Sequence, residues 1–228
     1  MANSSQNVFV AGGTGYMGSR LIPRLLASGH NIRALARPGS EAKLPAGCDL
    51  VIGNALDANS YREAIKPATT FMQLVGVAHP SPAKAAEFRR VDLVAGREAV
   101  IAAASANIEH FVYVSVAHPA PMMRDYIAVR TECERFIRES GMNATILRPW
   151  YVLGPGHRWP YAILPMYWFF ERLPSTREGA RRLGLVTLEQ MLQALTLAVD
   201  RPCDGQRVLG VPEIRRGTFD TSAVSVTA

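Results

Sequence analysis

Lysine is scarce in this 228-residue chain: of 25 basic residues, only Lys43, Lys66 and Lys84 are lysines and the other 22 are arginines. Nineteen acids leave a net charge of +6; over residues 148–216 there is no dense basic run, and Arg181–Arg182 and Arg215–Arg216 are the densest spots there. A nucleic-acid surface clusters its charge on one element and interleaves aromatics, so this pattern speaks against nucleic acid as a partner. A diffuse basic surface suits anionic small molecules instead. Cysteine is scarce too: Cys48, Cys133 and Cys203 lie far apart, which excludes a disulfide framework and fits reduced thiols. No clustered metal-ligand spacing is present. The longest apolar run, Trp159–Phe170, has 12 residues interrupted by Pro160 and Pro165, too short to cross a bilayer. Met1–Asn7 has neither a basic nor an apolar leader segment. With 48% apolar and 19% charged residues and no repeat, disordered and coiled-coil classes are excluded. The expectation is a soluble, cytoplasmic globule, monomer or homodimer, of one domain or one domain plus a small lobe.

Strand-like and helix-like stretches alternate along the first two thirds. Asn7–Ala11, Asn31–Ala36, Cys48–Gly53, Thr70–Val77, His110–Ser115 and Ala144–Leu147 read as strands. Between them lie a helix closed by Gly29, a short helix at Ser60–Ile65, a long one over Phe88–Ala106, and another over Met123–Ser140 closed by Gly141. Pro23 falls within the first helix, which predicts a kink or a late start. This order predicts an α/β fold: a Rossmann-type, doubly wound parallel sheet over residues 1–150. Residues 151–216 read as a small substrate-covering lobe continuous with it. Thr187-Leu-Glu-Gln190 is a capping box opening a helix to about Asp200, and Gln206–Val211 reads as a late strand. Residues 217–228 have little to bury and read as a loose tail.

The first strand runs directly into Gly12-Gly-Thr14-Gly15-Tyr16-Met17-Gly18. Gly12 permits a tight turn, Gly15 lets a pyrophosphate approach the backbone, and Gly18 lets the helix pack close to the sheet. The helix N-terminus then offers N–H groups and a positive dipole end to phosphates. The alternative is a plain glycine-rich turn. At the end of the second strand, an NAD site wants a carboxylate for the ribose hydroxyl, whereas an NADP site wants a cation for the 2′-phosphate. Arg37 stands there and no acid occurs before Glu41, which favours NADP(H) over NAD(H); the alternative is a solvated arginine.

Together with Gly53-Asn54-Ala55-Leu-Asp57, Leu74-Val75-Gly76, Phe111-Val-Tyr-Val-Ser115 and Arg148-Pro149-Trp-Tyr151-Val152-Leu-Gly154-Pro, this motif resembles the atypical or extended short-chain dehydrogenase/reductase superfamily, in particular its NAD(P)H-binding, NmrA-like and epimerase-like members. The resemblance covers the chain to about residue 212. It implies that Asn54 and Ala55 border the adenine, Val75 and Gly76 the ribose and diphosphate, and Pro149, Tyr151 and Val152 the nicotinamide. Asn54 replaces the usual Asp; its amide oxygen can still meet adenine.

The resemblance also implies catalysis by Ser, Tyr and the Lys of Tyr-x-x-x-Lys. Here Tyr126-Ile-Ala-Val-Arg130 keeps the Tyr and replaces the Lys by Arg. On a helix the two share a face. A guanidinium stabilises a phenolate but cannot release a proton, and its fork differs in shape from an ammonium. Ser115 is the candidate serine; many relatives carry the hydroxyl two residues later, where this chain has Ala117. His79 and His118 end neighbouring strands and are either stand-in polar groups or plain loop histidines. Trp159–Phe170 falls where relatives build their substrate cover, as a pocket for an apolar ligand or as packed core.

The leading expectation is an NADP(H)-dependent oxidoreductase acting on a small, rather apolar carbonyl or quinone-like substrate. The alternative is a non-catalytic NAD(P)H-binding sensor or assembly protein, which Arg130 and Ala117 support. Epimerisation or dehydration is the weaker third reading, because such enzymes need a larger C-terminal lobe.

Overall fold

A computed structural model describes residues 5–155 and 182–217. Among the described residues nine strands alternate with helices: β1 Asn7–Ala11, β2 Asn31–Ala36, β3 Asp49–Ile52, β4 Thr70–Gln73, β5 His110–Val114, β6 Ala144–Leu147, β7 Tyr151–Leu153, β8 Leu185–Thr187 and β9 Gln206–Leu209. The helices are α1 Gly18–Ala27, α2 Ala85–Glu87, α3 Val94–Ser105, α4 Arg124–Glu139, α5 Leu188–Asp200 and α6 Val211–Arg216, with a π-helical segment, Phe88–Leu93, joining α2 to α3. Seven strands form one parallel sheet in the order β3-β2-β1-β4-β5-β6-β9. This is the Rossmann-type α/β fold expected from the alternation. Its order reverses direction between β1 and β4, and in such sheets the ligand crevice lies beyond the carboxyl ends of the strands at that point.

Strand alternation divides the core. Val8 and Val10 join Leu21 and Leu25 of α1 and Met191, Leu195 and Val199 of α5 on one face. Phe9, Phe71 and Phe111 sit in register on the other face, with ring centroids 5.1 and 5.3 Å apart, against α3 and α4. Ala99, Ala102 and Ala103, all buried, bring α3 close to the sheet. Each side therefore shields one face of nearly continuous apolar strands, as a parallel sheet requires.

Several boundaries differ from the sequence reading. The expected helix over Phe88–Ala106 opens with the π-helical segment, whose wider turn aims Phe88 and Asp92 inward, both buried. Pro23 lies inside α1, which starts at Gly18. The short helix expected at Ser60–Ile65 is two 3₁₀ turns, Ala58–Ser60 and Arg62–Ala64. The capping box forms as expected: Thr187 Oγ1 accepts from Gln190 N–H at 3.1 Å and Gln190 Oε1 accepts from Thr187 N–H at 2.9 Å. Of the stretch 151–216, β9 joins the main sheet beside β6, and α5 packs on α1, tied by Arg24–Glu189 at 2.5 Å and His30–Asp200 at 2.9 Å. Strands β7 and β8 form a separate parallel pair. Gly217, at φ +62°, caps α6; residues 218–228 and the run Trp159–Phe170 lie outside the described residues. Among the described residues no helix is long and apolar enough to cross a membrane, and no cluster of metal-ligating side chains occurs.

Candidate active site

The β1–α1 turn is shaped by steric need. Gly12 has φ +91°, and a Cβ there would lie 2.8 Å from the Leu74 carbonyl carbon. Gly18 abuts the Gly12 oxygen and the Gly13 backbone, leaving no room for a side chain. Gly15 differs: a Cβ would meet only the Gly12 oxygen, at 3.2 Å, and otherwise face open space. Helix α1 carries no acid in its first turn and no side-chain cap, so its positive end stays available to an anion. The residues present thus fit a dinucleotide diphosphate.

A cleft of about 350 Å3 opens at this turn, at the carboxyl ends of β1, β4, β5 and β6. Gly12, Gly15, Tyr16 and Met17 form one end; Gly76, Ser115, Tyr126, Arg130, Pro149, Tyr151 and Val152 form the other. The structure brings these eleven expected residues together. Val77, Ala78, Val114, Val116 and Trp150 make much of the remaining wall, and His79 lies on it. Thr14, Arg37, Asn54, Ala55 and Val75 do not line this cleft. They follow β1, β2, β3 and β4 along the same edge of the sheet. Arg37 is exposed one residue past β2. Asn54 uses its side-chain oxygen locally, accepting from Leu56 N–H at 3.1 Å.

Arg130 is buried on α4, and its guanidinium is held from several sides. Nη2 donates to Asp92 Oδ1 at 2.5 Å, and Nη1 donates to the Val114 carbonyl at 3.0 Å and the Tyr113 hydroxyl at 3.2 Å. Its carbon lies 5.0 Å from the centroid of the Tyr126 ring, within cation–π range. Burial alone would pull this guanidinium down, but Tyr113, Tyr126 and Asp92 outweigh it and hold it well above its ordinary value. Burial in turn pushes the Asp92 carboxyl up, against the pull of Arg130 and of the Val77 N–H that it accepts at 3.0 Å. The Tyr126 ring rests on Phe88, with centroids 4.9 Å apart.

Ser115 donates to Glu134 Oε1 at 2.6 Å. The same carboxylate, fully buried, receives Nε of Arg148 at 3.0 Å and a second bond from Arg148 Nη2, with the His118 ring 3.8 Å away. Burial pushes Glu134 up, yet His118, Arg148 and Ser115 together hold it down at about 2. Ala117 is buried in the core. Asp92 and Glu134 escaped the sequence reading. Glu134 did carry a signal, since it repeats at four-residue spacing after Tyr126 and Arg130 on one helix face. Asp92 sits in the apolar run Val91–Ala95 with no such pattern.

A family model described as NAD(P)H-binding matches residues 12–159. A quinoline-oxide ketoreductase from Stigmatella aurantiaca is 28% identical over 169 residues, 64% of this chain and 50% of that protein. A photosystem II assembly factor from Cyanophora paradoxa is 30% identical over 151 residues, 62% of this chain and 44% of its own. A ceramide reductase from Caulobacter vibrioides is 26% identical over 159 residues, 68% and 50% of the two chains. The chain thus spans about half the length of these curated relatives. Among solved structures, WbmH from Bordetella bronchiseptica in complex with NAD+ superposes with a TM-score of 0.65 at 19% identity, covering 92% of this chain and 79% of that one. Thermus thermophilus UDP-glucose 4-epimerase in complex with NAD gives 0.63 at 19% identity, covering 90% and 77%. With a glycine-rich turn at the switch point of a seven-stranded parallel sheet and a family match over residues 12–159, the chain belongs to the NAD(P)H-binding family.

Proposed function

We propose that this chain is an NADP(H)-dependent oxidoreductase acting on a small, rather apolar carbonyl or quinone-like compound. The observation that carries this reading is the placement of Tyr126, with the Arg130 cation against its ring, in a largely apolar cleft that begins at the glycine-rich turn. NADPH, when bound, would be held by the glycine-rich turn at one end of the cleft and by Gly76 and Pro149 at the other, and would supply the hydride for the carbonyl carbon. Tyr126 gives its proton to the carbonyl oxygen, so the product is the alcohol, and Arg130 stabilises the phenolate left behind. Arg130 itself keeps its proton throughout. Ser115 holds the cleft wall, because its own hydrogen is directed at Glu134. Arg37, exposed at the end of β2, serves the 2′-phosphate, while Asn54 and Ala55 border the adenine and Val75 the ribose.

Two relatives named as reductases support this reading. A second reading, dinucleotide binding without turnover, draws support from the same site: Arg130 and Ser115 are both committed to buried carboxylates, and one relative is named an assembly factor. NADPH absorbance, followed against a panel of carbonyls and quinones, separates the two. Oxidation of NADPH that falls about 10²–10⁴-fold in Tyr126→Phe, with cofactor affinity retained, supports the enzyme. Binding without turnover on every member supports the second reading. Turnover that survives intact in Tyr126→Phe removes Tyr126 from the mechanism and leaves hydride transfer to an acceptor that needs no protein acid.

A further inference from the structure

The loop after β3 is tied tightly around Asn54. Its backbone N–H donates to Ser60 Oγ at 2.9 Å, its carbonyl accepts from the Asp57 N–H at 2.9 Å, and its side-chain oxygen accepts from the Leu56 N–H at 3.1 Å. Ser60 Oγ closes the loop by donating to the Asp57 carbonyl at 2.7 Å. The orientation of the amide follows from its chemistry, because a backbone N–H is answered by the amide oxygen and never by the NH2 group. Asn54 is exposed, and its Nδ2 has no acceptor among the described residues; nor has the adjacent Ala55 N–H. Asp57, the nearest carboxylate in sequence, is turned to the following 3₁₀ turn, where Oδ1 accepts from the Asn59 N–H at 3.1 Å. The loop lies beside Arg37: the Gly53 N–H donates to the Ala36 carbonyl at 3.0 Å, at the end of β2.

With a diphosphate on the β1–α1 turn and a 2′-phosphate on Arg37, the base of a dinucleotide continues in the same direction along the sheet edge, to the loop after β3. We propose that Asn54 sets the base preference of this site: Nδ2 and the Ala55 N–H present two donors, the complement of a 6-oxopurine rather than of adenine. The inference rests on the reading that the glycine-rich turn and Arg37 hold a dinucleotide of the NADP(H) type. A 6-oxopurine offers O6 and N7, two acceptors side by side, whereas adenine sets its N6 amino group, a donor, beside an acceptor. Adenine therefore satisfies one of the two donors and turns its amino group on the other. In Asn54→Asp the balance reverses: one carboxylate oxygen keeps the Leu56 N–H and the second receives the adenine amino group. Sequence alone leaves the Asn54 oxygen for adenine; in the folded chain the Leu56 N–H occupies that oxygen.

The test compares calorimetric Kd values on the full chain for NADPH and for its 6-oxo analogue, reduced nicotinamide hypoxanthine dinucleotide phosphate. The parent is expected to bind the hypoxanthine dinucleotide about fivefold more tightly, the scale of one hydrogen bond gained. Asn54→Asp is expected to reverse the order and favour NADPH by about tenfold, since a carboxylate accepts from the amino group and repels O6. Asn54→Ala, which keeps the Ala55 N–H alone, is expected to bring the two ligands within about twofold of each other. Should its loop loosen, seen as a lower melting temperature, Asn54→Asp still decides, because it keeps an acceptor for Leu56. The pair without the 2′-phosphate, NADH and its hypoxanthine analogue, is expected to give the same base ratio, which separates Asn54 from Arg37. A parent protein that prefers NADPH overturns the inference, because the amide oxygen then meets the base. So does a parent that binds both bases alike, or whose preference persists in Asn54→Asp, since the base then does not reach Asn54. Failure of all four dinucleotides to bind defeats the cofactor reading itself.

Discussion

Ser115 gives its hydroxyl hydrogen to Glu134 across 2.6 Å, joining the end of β5 to the middle of α4 beneath the cleft. The carboxylate that receives it is fully buried and is also clamped by Arg148, the residue just after β6.

That arrangement makes Glu134 a source of acid sensitivity. Held at about 2 against an ordinary 4.5, the carboxylate stabilises the fold fully above its unfolded value and loses that contribution as pH falls from about 4.5 through 2. The stabilisation at stake is on the order of 3 kcal/mol. Glu134→Gln is expected to melt lower at neutral pH, and its urea midpoint is expected to change less than the parent's between pH 5 and pH 3. Parallel curves for the two proteins would refute this.

His110, at the other end of β5, acts in the same direction over a higher pH window. Burial first, and then the charge of Arg207, push its imidazole down to about 4, and the ring nitrogen Nε2 meets Thr145 Oγ1 at 3.0 Å. A depressed histidine contributes fully above its unfolded value near 6.5, and its contribution is lost as pH falls toward 4. The parent protein is expected to lose on the order of 3 kcal/mol over that window, and His110→Gln to show a nearly flat profile there. Equilibrium urea unfolding at pH 7, 6 and 5 checks it.

Gly15 and Gly18 separate binding from folding. Gly15→Val directs its methyls into the open cleft and is expected to abolish cofactor binding with little change in melting temperature. Gly18→Ala pushes a methyl against the Gly12 and Gly13 backbone and is expected to lower the melting temperature sharply. Full NADPH affinity in Gly15→Val would mean that the dinucleotide binds elsewhere.

The proposed preference for NADP(H) rests on Arg37. Arg37→Ala is expected to weaken NADPH about tenfold or more and to leave NADH nearly unchanged, because only the former carries the 2′-phosphate. Calorimetry that shows equal affinity for both cofactors in the parent protein would remove Arg37 from this role.

Where composition and periodicity act locally, the chain is readable. The apolar runs Asn31–Ala36 and Ala144–Leu147 match their strands, and the capping box at Thr187 marks the start of α5 to the residue. The glycine-rich turn was legible for the same reason: Gly12 and Gly18 answer short-range steric demands, and Gly15 keeps the cleft open. What was not legible depends on partners far along the chain. Strands β7 and β8 have three residues each, too few to show a period, and exist because each is the other's neighbour. The π-helical turn leaves no mark in composition, so Asp92 reads as an acid in an apolar helix until Arg130, 38 positions later, is seen opposite it. Ser115 and Glu134 are separated in the same way.

The pairing of Tyr151–Leu153 with Leu185–Thr187 couples the cleft to a helix far along the chain. Tyr151 and Val152 lie on the cleft wall, and their partner strand ends at Thr187, the residue that caps α5. A change that loosens either three-residue strand is therefore felt both at the wall and at the first turn of that helix.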